Sequence, residues 1–356
     1  MKTLYLHVGM HKAGSTSIQR ALNKDRKSLI QQGLYFPLTA TDHNTRAHQN
    51  IAWELNRHNR FVPENGSLDD LHKELQRKQP QNVIISSEGF TSLDNKPGAS
   101  KFNPQAEPEP VDPSRPSRYQ RLREFADSLG YSIVTVGFVR EYVACLNSAY
   151  TQQVKNFNHA RPFADHVAEQ RGNDRWCYEV VFAGWESISD KLICLPNGED
   201  NVKTLYQLMG VKPSEDQEIE RHNTGVGPRT IECSRLVFKA LEPVQRRDSW
   251  LRNRKNKDKN REQAIPSKLV KRMARQQGWN DELFWGFDLQ LARDVHASFV
   301  ERDHKFLRKH QIHFADTFDR KRHNDFMIEQ AEAGERATFL ASVNPILAEL
   351  GLAELS

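Results

Sequence analysis

Short apolar runs in the first part of the chain predict the strands of a buried sheet. The runs cover residues 4–8, 82–88, 131–139 and 191–196, and the second ends abruptly in polar side chains. Continuous apolar runs of this length are typical of parallel strands that are covered on both faces. Because the runs alternate with segments of helical periodicity, we expect an α/β fold: a doubly wound parallel sheet with helices on both faces.

Apolar residues at helical spacing predict helices between and beyond these strands. The predicted helices cover residues 15–32, 47–55, 67–79, 117–129, 141–156, 163–171, 176–185, 200–209, 231–241, 269–275, 289–310 and 325–350. From residue 228 onward the pattern is helical only. We therefore expect an α/β core over residues 1–225 and a helical C-terminal extension over residues 226–356 that packs on the core.

Two segments follow neither pattern. Prolines crowd residues 94–118, which predicts a long loop inserted in the core, either solvated or serving as a lid over a site. Residues 246–261 are strongly basic and form either a solvated connection between helices or a surface that attracts an acidic glycan or lipid headgroup. Trp250 is the one aromatic residue there, which disfavours a nucleic-acid contact.

Composition indicates the charge of the ligands, the cellular location and the state of the cysteines, but it does not identify a function. A formal net charge of +5 suits anionic ligands. No apolar run approaches the roughly 18 residues of a membrane helix, and the N-terminus lacks signal-peptide features, so a cytoplasmic location is expected. The cysteines are far apart and form no C-x-x-C motif, which predicts reduced core thiols rather than disulfides or a zinc site. They are Cys145, Cys177, Cys194 and Cys233.

The segment after the first apolar run combines glycines, a lysine and hydroxyl side chains ahead of a predicted helix. A strand, a glycine-bearing loop and a helix direct backbone N–H groups at a phosphate. The spacing is close to that of a P-loop, Gly-x4-Gly-Lys-Ser/Thr, but Ser15 occupies the lysine position and the lysine is Lys12. This pattern favours a phosphate site, and the alternative is an ordinary turn whose hydroxyls cap the helix.

Residues 6–19, LHVGMHKAGSTSIQ, resemble the 5′-phosphosulfate loop of sulfotransferases that use 3′-phosphoadenosine 5′-phosphosulfate (PAPS), in its bacterial form. The resemblance implies a P-loop-like sulfotransferase core, PAPS as co-substrate and 3′,5′-ADP as product. It also implies that Lys12 contacts the oxygen that bridges phosphate and sulfate, where charge builds up as the bond breaks. The groups that it assigns to the 5′-phosphate are those of Ala13, Gly14, Ser15, Thr16 and Ser17.

A second element of the resemblance lies after the third apolar run. Arg140 ends the predicted strand and Ser148 follows eight residues later, in the next predicted helix. Sulfotransferases contact the 3′-phosphate with an arginine and a serine in this arrangement, and the bacterial resemblance continues to Lys155. The alternative is a surface arginine with an unrelated serine, because the spacing alone is common.

Glu88 is the predicted general base. It ends the apolar run 82–88, and chemistry in open α/β sheets collects at the carboxyl ends of strands. The acceptor must lose a proton as it attacks sulfur, and sulfotransferases that act on glycans commonly use a glutamate in this region. Glu88 could instead cap a helix or pair with a lysine, and His48 and His11 are the alternative bases.

Together these features predict transfer of a sulfuryl group from PAPS to a hydroxyl or amine, without a metal ion. The acceptor is expected to be a saccharide or glycolipid, with no nucleic acid involved and with peripheral membrane contact left open. One rival is a P-loop-like nucleotide kinase, which the serine at position 15 disfavours. The other rival is a non-catalytic protein that binds a nucleotide or an acidic glycan.

Overall fold

The computed structural model describes residues 2–10, 13–42, 46–92, 117–214, 225–251 and 257–356. The chain forms two compact units. The first unit comprises residues 1–141, 174–222 and 300–314, and the second comprises residues 142–173, 223–299 and 315–356. The C-terminal part of the chain therefore contributes to both units, while the expected boundary at residue 225 stays a prediction.

A five-stranded parallel sheet forms the centre of the first unit. Its strands are β1 (Lys2–Gly9), β2 (Leu34–Tyr35), β3 (Asn82–Ser87), β4 (Tyr131–Val139) and β5 (Lys191–Pro196). The strand order is β2-β3-β1-β4-β5, and every neighbouring pair is parallel. The predicted α/β class with a parallel sheet is confirmed, because the apolar runs place both faces of β1, β3 and β4 in the core.

The helices follow the alternation that the sequence predicts. They are α1 (Ser15–Lys24), α2 (Arg26–Gln31), α3 (Gln49–Leu55), α4 (Leu68–Lys78), α5 (Arg118–Ser128), α6 (Tyr142–Lys155), α7 (Phe163–Arg171), α8 (Tyr178–Ile188), α9 (Asn201–Leu208), α10 (Pro228–Leu251), α11 (Lys257–Gln276), α12 (Leu289–Arg302), α13 (His304–Lys309) and α14 (Ala333–Glu349). The right-handed crossovers that parallel strands favour predict α1 on one face of the sheet and α5 on the other. In keeping with this, α1 contacts α9 and α5 contacts α8.

Two predicted helices are each interrupted by a buried aspartate. The helix predicted over residues 15–32 is divided at Asp25, whose carboxylate accepts hydrogen bonds from the hydroxyls of Tyr206 and Ser214. The helix predicted over residues 289–310 is divided at Asp303, which accepts hydrogen bonds at the start of α8. The prediction of continuous helices was wrong at both points, because the bonds that stabilise each break come from distant parts of the chain.

Local capping signals are confirmed where the sequence carries them. Ser67 and Asp70 form a reciprocal capping box at the start of α4. Ser117 accepts a hydrogen bond from the Gln120 backbone N–H and so caps α5 in the same way. His48 precedes α3 as its N-cap residue and does not lie inside the helix.

The second unit has its own apolar core, formed by α10, α11 and α14 together with Phe157 and Ile328. Its buried members are Phe157, Cys233, Leu236, Val237, Leu269, Val270, Ile328, Phe339, Leu340, Val343, Ile346 and Leu347. Of the basic stretch predicted over residues 246–261, the part up to Leu251 belongs to α10 and the part from Lys257 to α11. Residues 93–116 of the Pro-rich segment and residues 252–256 lie outside the described residues. Within the described ranges, no helix is both long and apolar enough to span a bilayer.

Candidate functional site

The carboxyl ends of three neighbouring strands meet at one edge of the sheet in the first unit. In the strand register, Val8 of β1 lies between Ser87 of β3 and Gly137 of β4. Glu88 directly follows β3 and Arg140 directly follows β4, so the two residues flank the segment that leaves β1. The chain continues from β1 toward β2 and from β4 toward β5, which makes this edge the topological switch point where open α/β sheets bind ligands.

The start of α1 has two features that suit an anion. Gly14 is the N-cap residue of α1 and adopts a left-handed conformation with φ 77°, which favours glycine. Because Gly14 has no side chain, it provides no capping oxygen for the first backbone N–H groups of α1. Ser15 is buried, and its Oγ has no hydrogen-bond partner in the described part of the chain. Lys12 lies outside the described residues.

Because residue 9 is a glycine, the side chains of Ser15 and Glu88 can both lie close to its backbone. A Cβ atom at Gly9 would lie 2.3 Å from Oγ of Ser15 and 3.1 Å from Cγ of Glu88. Both side chains therefore occupy the space that any larger residue at this position would fill. The half-buried Glu88 side chain and Ser15, the first residue of α1, thus lie beside the same glycine.

Gln49 fixes the backbone on both sides of Glu88. Its Oε1 accepts hydrogen bonds from the hydroxyl of Ser87 at 2.9 Å and from the backbone N–H of Gly89 at 3.1 Å. A Cβ atom at Gly89 would lie 2.2 Å from Nε2 of Gln49, so this contact also needs a glycine. Gln49 begins α3, and nothing in the local pattern of the sequence marks it as a partner of residues almost forty positions away.

His48 is bound to the backbone through both ring nitrogens. Its Nδ1 accepts a hydrogen bond from the Ser86 N–H at 3.2 Å, which leaves Nε2 as the donor to the carbonyl of Pro37, also at 3.2 Å. Burial lowers the pKa of His48 to about 4. This arrangement favours Glu88 over His48 as a base, because the imidazole is fully buried and both of its nitrogens are occupied. His11, the other alternative, lies outside the described residues.

Tyr178 fixes the backbone of Arg140. Its hydroxyl accepts a hydrogen bond from the Arg140 N–H at 3.2 Å and donates one to the Arg140 carbonyl. A single buried hydroxyl thus satisfies both backbone polar groups at the first position beyond the β4 ladder. Tyr178 is itself held by Asp303, whose carboxylate accepts hydrogen bonds from the N–H groups of Tyr178 and Glu179.

The two residues assigned to the 3′-phosphate belong to different units. Arg140 is half-buried at the end of β4 in the first unit. Ser148 is half-buried in α6 of the second unit, and its carbonyl accepts a hydrogen bond from the Thr151 hydroxyl. Their joint contact with one phosphate stays a prediction.

The segment after β5 contacts the loop after β1. Nδ2 of Asn201 donates to the carbonyl of Ala13 at 2.9 Å and to Oδ1 of Asn197 at 2.7 Å. Oδ1 of Asn201 accepts a hydrogen bond from the Gly198 N–H at 2.9 Å. Because Ala13 directly precedes Gly14, this buried amide fixes the approach of the chain to the helix terminus. The position of Asn197 just beyond a predicted strand is the one sequence signal that pointed to this segment.

The comparisons with known proteins include a distant structural similarity. No protein family model matches the chain, and no curated protein sequence matches it. The crystal structure of a sulfotransferase from Alicyclobacillus acidocaldarius is similar over 62% of this chain and 87% of that chain. The identity is 14% and the TM-score is 0.37, a level at which the similarity indicates neither a shared activity nor shared residues.

Proposed function

We propose that this protein is a PAPS-dependent sulfotransferase that transfers a sulfuryl group to a hydroxyl or amine, with a saccharide or glycolipid as acceptor. The observation that carries the proposal is the juxtaposition of Ser15 and Glu88 across Gly9. A helix terminus whose N-cap residue has no side chain, with a buried Ser15 hydroxyl that has no partner in the described residues, suits a phosphate. Glu88, beside the same glycine, carries a carboxylate suited to accept a proton. The resemblance of residues 6–19 to the phosphosulfate loop supports the choice of donor.

In this proposal the loop binds the 5′-phosphate of the donor. The N–H groups in the first turn of α1 and the hydroxyls of Ser15, Thr16 and Ser17 donate to the phosphate oxygens. Lys12 takes the role that the resemblance assigns to it, beside the oxygen that bridges phosphate and sulfur. Arg140 and Ser148 bind the 3′-phosphate by charge-assisted and neutral hydrogen bonds respectively.

The reaction is an in-line displacement at sulfur. A lone pair of the acceptor oxygen or nitrogen forms the new bond to sulfur while the bond from sulfur to the bridging oxygen breaks. The electron pair of that bond leaves with the 5′-phosphate of 3′,5′-ADP, where Lys12 and the helix terminus stabilise the charge. The acceptor proton passes to the carboxylate of Glu88, a transfer that contributes about 10²–10⁴-fold to the rates of enzymes of this kind.

The residues at the helix terminus also bear on the rival functions. A P-loop kinase needs a lysine at position 15 to reach the transferred phosphoryl group, and this chain has a buried serine there. A purely binding protein needs no carboxylate against its phosphate loop, where Glu88 would repel an anionic ligand. Sulfuryl transfer uses Ser15 to bind the phosphate and Glu88 to accept the proton.

A ligand-binding experiment tests the proposal directly. We expect 3′,5′-ADP to raise the melting temperature in the absence of Mg²⁺, because ligand at 100 times its dissociation constant stabilises a protein by about 2.7 kcal/mol. ATP with Mg²⁺ should raise it much less. The opposite ranking would contradict the proposal and favour a kinase. Transfer of radiolabelled sulfate from PAPS to a panel of saccharides and lipid extracts would then identify the acceptor.

A further inference from the structure

A second charged cavity lies in the first unit, among residues that the proposed reaction does not use. Its volume is about 450 Å³, the size of pockets that hold small ligands. It is formed by the first residue of α2, the segment after β2 and one face of α4. The lining residues are Arg26, Leu38, Thr39, Asp70, Lys73, Glu74 and Arg77.

The acidic side chains of this cavity are already engaged by neighbouring groups. Glu74 accepts hydrogen bonds from the hydroxyls of Tyr35 and Thr39, one on each carboxylate oxygen. Asp70 accepts hydrogen bonds from the backbone N–H and the hydroxyl of Ser67 in the capping box of α4. Their capacity to pair with the basic residues of the cavity is therefore reduced.

The arginines of the cavity, unlike its acidic side chains, are not engaged by neighbouring groups among the described residues. Within the described part of the chain, the guanidinium groups of Arg26 and Arg77 make neither a hydrogen bond nor an ion pair. Nε of Arg26 is buried without a partner. Lys73 adds a third positive charge, and its contact with Asp70 is an exposed pair 3.9 Å long, which contributes little.

Both arginines line the same cavity, although they come from different helices, α2 and α4. Burial and the neighbouring Glu74 raise the pKa of the Tyr35 hydroxyl, and the charges of Arg26 and Arg77 oppose that increase. Two arginines in one cavity without carboxylate partners suit bidentate recognition of oxyanions.

We propose that this cavity, with Arg26, Arg77 and Lys73 as its cations, is a binding site for a small ligand that carries two oxyanion groups. Carboxylate, sulfate and phosphate groups share the required geometry, so the ligand is either a sulfated or carboxylated saccharide or a phosphorylated compound. None of the lining residues belongs to the loop at Gly14 or to the backbone contacts of Glu88 and Arg140. The site is therefore additional to the proposed donor site and does not depend on it.

Calorimetric titration of the full-length chain tests the site. The probes are inorganic pyrophosphate and a disulfated disaccharide, each titrated with and without saturating 3′,5′-ADP. The variants are Arg26→Gln and Arg77→Gln. The matched control is Lys78→Gln, which removes one positive charge from the same helix, at a residue that packs on the Tyr35 ring and does not line the cavity.

We expect at least one probe to bind with 3′,5′-ADP present. Each arginine variant should weaken that binding by about tenfold or more, and the control should change it by less than about twofold. The probe that binds more tightly distinguishes a sulfated saccharide from a phosphate compound. Absence of binding by both probes, equal binding by all variants, or full competition by 3′,5′-ADP would each overturn the proposal. Arg77 is exposed, so its variant keeps the test valid even if Arg26→Gln impairs folding.

Discussion

Replacing Tyr178 with phenylalanine is the sharpest test of how Arg140 is positioned. The substitution keeps the ring, which packs near Phe306 and Phe314, and removes only the hydroxyl. The N–H and the carbonyl of Arg140 then lose their shared partner. With a net value of about 1 kcal/mol for each hydrogen bond, the free energy of unfolding should fall by about 2 kcal/mol.

The same substitution should weaken the binding of 3′,5′-ADP. Without the Tyr178 hydroxyl the backbone of Arg140 is less well ordered, and binding has to restore that order at a cost of up to about 1–2 kcal/mol for one residue. Because 1.4 kcal/mol corresponds to a factor of ten, we expect about tenfold weaker binding by calorimetry. Arg140→Ala should lose more, on the order of 2–3 kcal/mol, because it removes the charge-assisted hydrogen bonds themselves.

A matched control separates positioning from a general loss of stability. The hydroxyl of Thr135, on the strand that precedes Arg140, forms a partly buried hydrogen bond of 2.6 Å with the hydroxyl of Ser189. It lies five residues before Arg140, about 16 Å away along an extended strand. Thr135→Val should therefore lower stability and leave 3′,5′-ADP affinity within about twofold. If Tyr178→Phe destabilises the protein and its affinity for 3′,5′-ADP is unchanged, the positioning argument is refuted.

Three further outcomes are expected. Glu88→Gln should leave 3′,5′-ADP affinity intact and lower turnover by at least about 100-fold, and a fully active variant would exclude Glu88 as the base. Asn201→Ala removes the hydrogen bond to the carbonyl of Ala13 and should weaken 3′,5′-ADP binding in calorimetry, whereas Asp200→Ala, which removes only the N-cap of α9, should not. Stability should also fall as the pH is lowered. The buried imidazoles of His7 and His48 have pKa values lowered by burial to about 4 from 6.5, so the unfolded chain binds the protons first. Lowering the pH from 7.5 to 5 should reduce the free energy of unfolding by about 2 kcal/mol for each of these histidines. Urea denaturation curves that coincide at the two pH values would contradict this.

The buried position of His48 also explains why it is a poor candidate for the base. His48 was a reasonable alternative on sequence grounds, because a histidine can exchange protons near neutral pH. The structure shows its ring between the backbone of Ser86 and that of Pro37, away from solvent. A side chain in these surroundings stabilises the connection between β3 and the segment before α3, which no single sequence reveals.

Local patterns were enough to determine most of the elements of this chain. The predicted strands at residues 131–139 and 191–196 and the predicted helix at residues 163–171 agree with β4, β5 and α7 residue for residue. The period of apolar residues, together with a capping box such as that of Ser67 and Asp70, depends only on neighbours along the chain. The order of the strands then brought Glu88 and Arg140 to the same edge of the sheet, as their positions at strand ends predicted.

The contacts that hold Glu88 and Arg140 in place, and the points at which the long predicted helices are interrupted, depend on the tertiary structure. Asp25 and Asp303 interrupt predicted helices because their carboxylates bind groups more than a hundred residues away in sequence. Gln49, Tyr178 and Asn201 bind the backbone beside the candidate site residues, and a bond to a distant backbone group leaves no periodic or spaced signal in the sequence. Local patterns along the chain were thus enough to predict which side chains the sheet presents at its edge. The backbone that orients them is fixed by contacts that exist only once the chain has folded.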